Sequence, residues 1–106
     1  MNRSRAVLWT WRWCTTTQEI LDESFEHIQL VFLLNQETVS LDHFAVVDYS
    51  PEDHVFCREY YTVVDQWPPG RYQLETQITF TKPIYDGWGT YPAGTFYVRY
   101  IVTVER

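Results

Sequence analysis

Asp42 with His43, and Asp53 with His54, stand in the short stretches "LDH" and "SPEDH". A carboxylate beside an imidazole offers zinc-binding atoms, but a metal site needs three or four donors meeting at one point, and only the fold decides that. Taken alone, these four residues read as solvated loop groups. A second set crowds "YDGWGTY", where Tyr85, Trp88 and Tyr91 surround Asp86. Aromatic faces there suit the C–H surface of a sugar or polymer if they are open, or cap a sheet edge if they are not. Ser4, Ser24, Ser40 and Ser50 complete the chemically capable residues. None lies in a G-x-S-x-G elbow, and neither a glycine-rich phosphate loop nor an H-E-x-x-H pair is present. Glycoside cleavage requires two carboxylates about 5 to 10 Å apart across a cleft, and Asp86 has no evident mate. The expectation is a protein without catalysis, metal or cofactor.

Composition narrows the partners. The formal charge is −6 and Lys82 is the only lysine, whereas affinity for nucleic acid rests on clustered Lys and Arg. Nucleic acid is therefore not an expected partner. Arg3 and Arg5 precede an apolar patch, "AVLWTWRWC", but Arg12 interrupts it and Trp11 and Trp13 stand where a signal peptide needs small residues. The longest apolar run, "IQLVFLL", falls far short of the roughly 18 residues of a membrane span. No membrane insertion by this segment is expected.

The elements that must hold these residues are mostly strands. An aromatic content of 18% with four Gly among 106 residues suits broad pleated surfaces, and that length suits one domain, residues 1–106. In "RYQLETQITFT", Tyr72, Leu74, Thr76, Ile78 and Phe80 alternate with polar residues, the two-residue repeat of a half-buried strand. "TFYVRYIVTVE" repeats the pattern with Phe96, Val98, Tyr100, Val102 and Val104 inward. "AVLWTWRW" sets Val7, Trp9, Trp11 and Trp13 on one face, and three further runs, "HIQLVFLLN", "HFAVVDY" and "VFCREYYTVV", bring the count to at least six. One helix is predicted near residues 17–25, with Thr16 and Glu19 at the spacing of a capping box. Turns are predicted at "NQE", "SPED", "DQWPPG" and "YPAG". The sum is a mainly β chain, an antiparallel two-sheet sandwich of six to eight strands with one short helix, its chief rival being a closed barrel.

"DQWPPGRYQLETQITF" followed by "YPAGTFYVRYIVTV" resembles the last two strands of immunoglobulin-like domains in bacterial secreted and cell-surface proteins, over residues 62–105. The resemblance implies an extracellular or cell-surface location and a non-catalytic interaction or spacer role within a larger protein, with a protein or surface polymer as partner. The chain departs from antibody domains at one point: Leu74, not a cysteine, lies two residues beyond Tyr72. An exported sandwich would instead bond Cys14 to Cys57, closing a loop of about 43 residues. The alternative is two buried thiols in a cytosolic domain. For the aromatic loop the expectation is that Trp88 folds back over the core edge. The competing expectation is a carbohydrate- or polymer-binding module using Tyr85, Asp86, Trp88 and Tyr91.

Overall fold

The computed structural model describes residues 6–65 and 67–105. Arg3, Ser4 and Arg5 lie outside the described residues, as does Gln66 of the "DQWPPG" turn. The elements run β1 (Val7–Thr15), α1 (Gln18–Phe25), β2 (Ile28–Leu34), β3 (Glu37–Val39), a 3-10 turn (Leu41–His43), β4 (Ala45–Glu52), β5 (Val55–Val64), β6 (Gly70–Phe80), β7 (Ile84–Tyr85), β8 (Thr90–Tyr91) and β9 (Gly94–Val104). The chain is mainly β with one short α-helix, its strands fall into antiparallel sheets, and none of the sheets closes into a barrel.

Local chemistry explains the boundaries. Thr17, one residue later than predicted, caps α1: its hydroxyl accepts from the Ile20 amide at 3.1 Å. Thr16 is instead held by its own amide, which donates to the Asp86 carbonyl at 3.0 Å. Asn35 and Gln36 both have positive φ, the two-residue hairpin geometry that matches strand twist, and the Asn35 side chain accepts from the Gln73 amide at 2.8 Å. That bond fixes the β2–β3 hairpin against β6.

Two sheets, ordered β1-β5-β4 and β3-β2-β6-β9, meet across one apolar layer, and a separate ribbon pairs β7 with β8. Trp9 of β1 meets Phe32 of β2 edge-on at 5.5 Å and packs with Phe44 and Leu74. Ile28, Ile78, Phe80 and Ile84 form the other half of the core, with Trp11 and Trp13 against it. Leu74, Ile78 and Phe80 are buried as predicted. Phe96 and Tyr100 are not: they are 42% and 52% exposed. Their parity is right, since Ile78 pairs with Phe96 and Leu74 with Tyr100 across the β6–β9 ladder. The opposing sheet, however, has three strands against four, and among the described residues no strand lies over Phe96 and Tyr100 of β9.

Candidate functional site

The β7–β8 ribbon carries the aromatic cluster. Ile84 pairs with Tyr91 and Tyr85 with Thr90, and neighbouring pairs of a ladder point to opposite faces. Ile84 is buried, and Tyr91 meets Trp13 edge-on at 5.3 Å, so that face turns to the core. Tyr85 belongs to the other face. The three rings therefore do not share one surface. Trp88 lies in the turn and is 59% exposed, so the expectation that it lids the core is corrected. Ile84 does that work, together with Asp86, which is only 5% exposed.

Asp86 organises the turn. Its Oδ1 accepts from the Trp88 and Gly89 amides, each at 2.8 Å. It also pushes the Tyr91 hydroxyl above the ordinary phenol pKa, through a hydrogen bond to that hydroxyl and its negative charge. The ribbon is pinned to the end of β1 by the Thr16–Asp86 bond, and Gly87 makes the close approach possible: at φ +100°, a Cβ there would stand 1.8 Å from the Thr16 hydroxyl oxygen. Asp86→Ala is expected to lose about 1–3 kcal/mol by stripping two amides of their acceptor. Trp88→Ala should move stability by no more than about 0.5 kcal/mol. Urea unfolding of the two variants checks the contrast, and a larger loss at Trp88 would return it to the core.

The Asp–His pairs do not converge. His43 ends the 3-10 turn before β4, while Asp53 and His54 form the turn after it. The eight residues of β4 separate them by roughly 25 Å at about 3.3 Å per residue. Among the described residues no group of three or more His, Cys, Asp or Glu is placed to hold a metal. The described serines serve local structure: Ser24 donates to the Ile20 carbonyl, Ser40 accepts from the Asp42 amide, and Ser50 donates to the carbonyls of Glu52 and Val55.

Composition gave no hint of the densest charge cluster. Arg58 of β5 makes two bonds to Asp48 of β4, at 2.7 and 2.9 Å, and one to Asp22 of α1 at 2.7 Å, with its guanidinium over the Phe25 ring. The helix is thereby tied to the three-stranded sheet. Arg58 holds the Asp48 carboxyl below its ordinary pKa, with a smaller contribution from Gln18. On the other sheet, Arg99 and then Gln77 lower Glu75 in the same way. A carboxylate depressed in the folded state contributes stability at neutral pH and loses it as pH falls through its folded pKa. Stability should thus decline on acidification below about pH 4, the ordinary carboxylate range. Asp48→Asn should flatten that decline in urea titrations at stepped pH, and an unchanged slope would remove Asp48 from the account.

Cys14 and Cys57 are bonded, at an S–S distance of 2.09 Å. They stand directly opposite each other in the β1–β5 ladder, so the bond lies within one sheet. No described helix is long and apolar enough to cross a membrane. The chain matches no protein-family model and no curated protein.

Proposed function

We propose that this chain is a non-catalytic interaction domain of a secreted or surface protein, built on an immunoglobulin-like sandwich. The strand order β1-β5-β4 over β3-β2-β6-β9 supports the fold: among the described residues it follows the B-E-D and C′-C-F-G order of that class. Tyr72, near the start of β6, donates to the Pro68 carbonyl at 2.7 Å, as the corner tyrosine of such domains bonds upstream backbone. The disulfide departs from antibody domains by joining neighbours in one sheet, and it favours an oxidising compartment.

The observation that carries the role is the edge strand β9, where Phe96 and Tyr100 are exposed on one face and Tyr97 and Ile101 on the other. Apolar groups gathered along one strand edge in this way mark interaction sites on soluble proteins. A spacer role alone gives these exposed rings no use. Immobilised wild-type domain should retain a component of the source's extracellular fraction that Tyr100→Glu fails to retain while Trp88→Ala does. Retention indifferent to Tyr100 would count against this surface.

The exposure of Trp88 and Tyr85 favours a second reading, carbohydrate or polymer binding at the ribbon. It predicts retardation in gels containing soluble β-glucan or xylan, abolished by Trp88→Ala with folding intact. Equal mobility of wild type and variant excludes those polymers.

A further inference from the structure

Of the four sheet edges, two are poor templates for pairing with another strand. β3 has three residues, and β4 carries Pro51 and a register shift between Tyr49 and Glu52; short strands, proline and bulges all discourage edge pairing. Among the described residues, β1 and β9 carry none of these devices. Their ladders run unbroken over nine and eleven pairs, with one charge each, Arg12 and Arg99. Both edges lie on the same flank, where a groove opens between the sheets. Leu8 and Trp9 face Tyr100 and Ile101 across a hollow of about 220 Å³, and Trp11 and Trp13 face Phe96 and Val98 across one of about 320 Å³.

We propose that this flank pairs with a second copy of the chain, β1 with the partner's β9 and β9 with the partner's β1. The inference rests on the interaction reading in using the same surface, and it names the partner. Three features of the single chain fit the pairing. The first is strand number: adding the partner's β9 to β1 extends the three-stranded sheet over the uncovered β9, and the reciprocal addition does the same for the partner. Two continuous seven-stranded layers result, with β9 facing its counterpart across a new apolar layer of Phe96, Val98, Tyr100 and Val102.

The second is strand sense. Within one chain β9 runs opposite to β1, from the Trp13 end toward the Val7 end. A two-fold axis parallel to the strands preserves that sense, so the new ladder is antiparallel. The third is register, because such an axis also preserves height along the strands. Trp9 then falls opposite the partner's Tyr100, Trp11 opposite the partner's Val98 and Trp13 opposite the partner's Phe96. On the outer face Leu8 meets the partner's Ile101, and Arg12 meets the partner's Tyr97. No like charges are opposed. At about 150–250 Å² per aromatic side chain, closing the flank removes roughly 500 Å² per copy, or about 1,000 Å² in total, the lower bound for a specific interface. The dimer is weak and concentration-dependent.

Sedimentation equilibrium of the wild type should show a reversible monomer–dimer equilibrium, with Tyr100→Glu weakening it at least tenfold. Tyr100 is half exposed in the single chain, so this variant should keep its fold by circular dichroism. Site pairing is read separately. A short bismaleimide should link Leu8→Cys to Ile101→Cys when the two variants are mixed, and link neither variant efficiently to itself. Monomer at every concentration would overturn the proposal, as would Ile101→Cys linking to itself as readily as to Leu8→Cys. A monomer that still retains an outside component through Tyr100 would sink self-pairing alone, whereas a dimer indifferent to outside components would confine the interaction reading to self-association.

Discussion

Phe32→Ala is expected to destabilise the domain by about 3–5 kcal/mol, a large part of the 5–15 kcal/mol that holds an ordinary domain together. Phe32 is fully buried at the centre of the apolar layer. Its ring stacks on Phe44 at 4.0 Å and takes the edge of Trp9 at 5.5 Å. Truncation removes a ring that contacts both and leaves a cavity between the two sheets. Tyr97→Ala removes a ring of similar size from an exposed position and should cost about 0.5 kcal/mol or less in the monomer. Urea midpoints decide the matter, and equal losses at the two positions would mean that the layers are wrongly assigned.

Reducing the Cys14–Cys57 bond is expected to have the next largest effect. The bond spans 43 residues, and on the chain-entropy model its loss costs roughly 3–4 kcal/mol. At about 4–8 °C per kcal/mol for a domain near this size, the melting temperature should fall by roughly 12–32 °C in reductant. β1 and β5 are far apart in sequence but adjacent in space, so their pairing carries a large closure entropy that the bond removes. A fall of only a degree or two would show that the unfolded chain already keeps these strands together.

The sequence reveals the faces of strands more readily than what covers them. The alternation of Leu74, Ile78 and Phe80 marks their inward side because polar residues intervene, and the structure buries all three. The same alternation in β9 identifies the parity of Phe96 and Tyr100 but not their cover, which depends on how many strands the other sheet contains. That number is set by non-local pairing, β1 with β5 above all. Arg58, Asp48 and Asp22 had no local signal for the same reason: their contacts join three elements. In the aromatic loop, ring type drew attention to Trp88, while the decisive residue was Asp86, whose short carboxylate caps two amides of its own turn. That Asx pattern was legible in "DGWG" as turn chemistry, though not as burial.

The placement of the disulfide has a mechanical consequence. Because Val7 and Val102 share one end of the fold, tension applied at these two residues peels β1 from β5, and β9 from β6, rung by rung like a zipper. On the β1 side the peeling meets a covalent stop at Cys14–Cys57 after the seven pairs from Val7 to Trp13. In the oxidised protein the segment between the cysteines stays a closed loop that no load along the chain can extend; in the reduced protein it does not. Under force the redox state sets the domain's reach, and single-molecule extension curves taken with and without reductant should differ by the contour length of that loop.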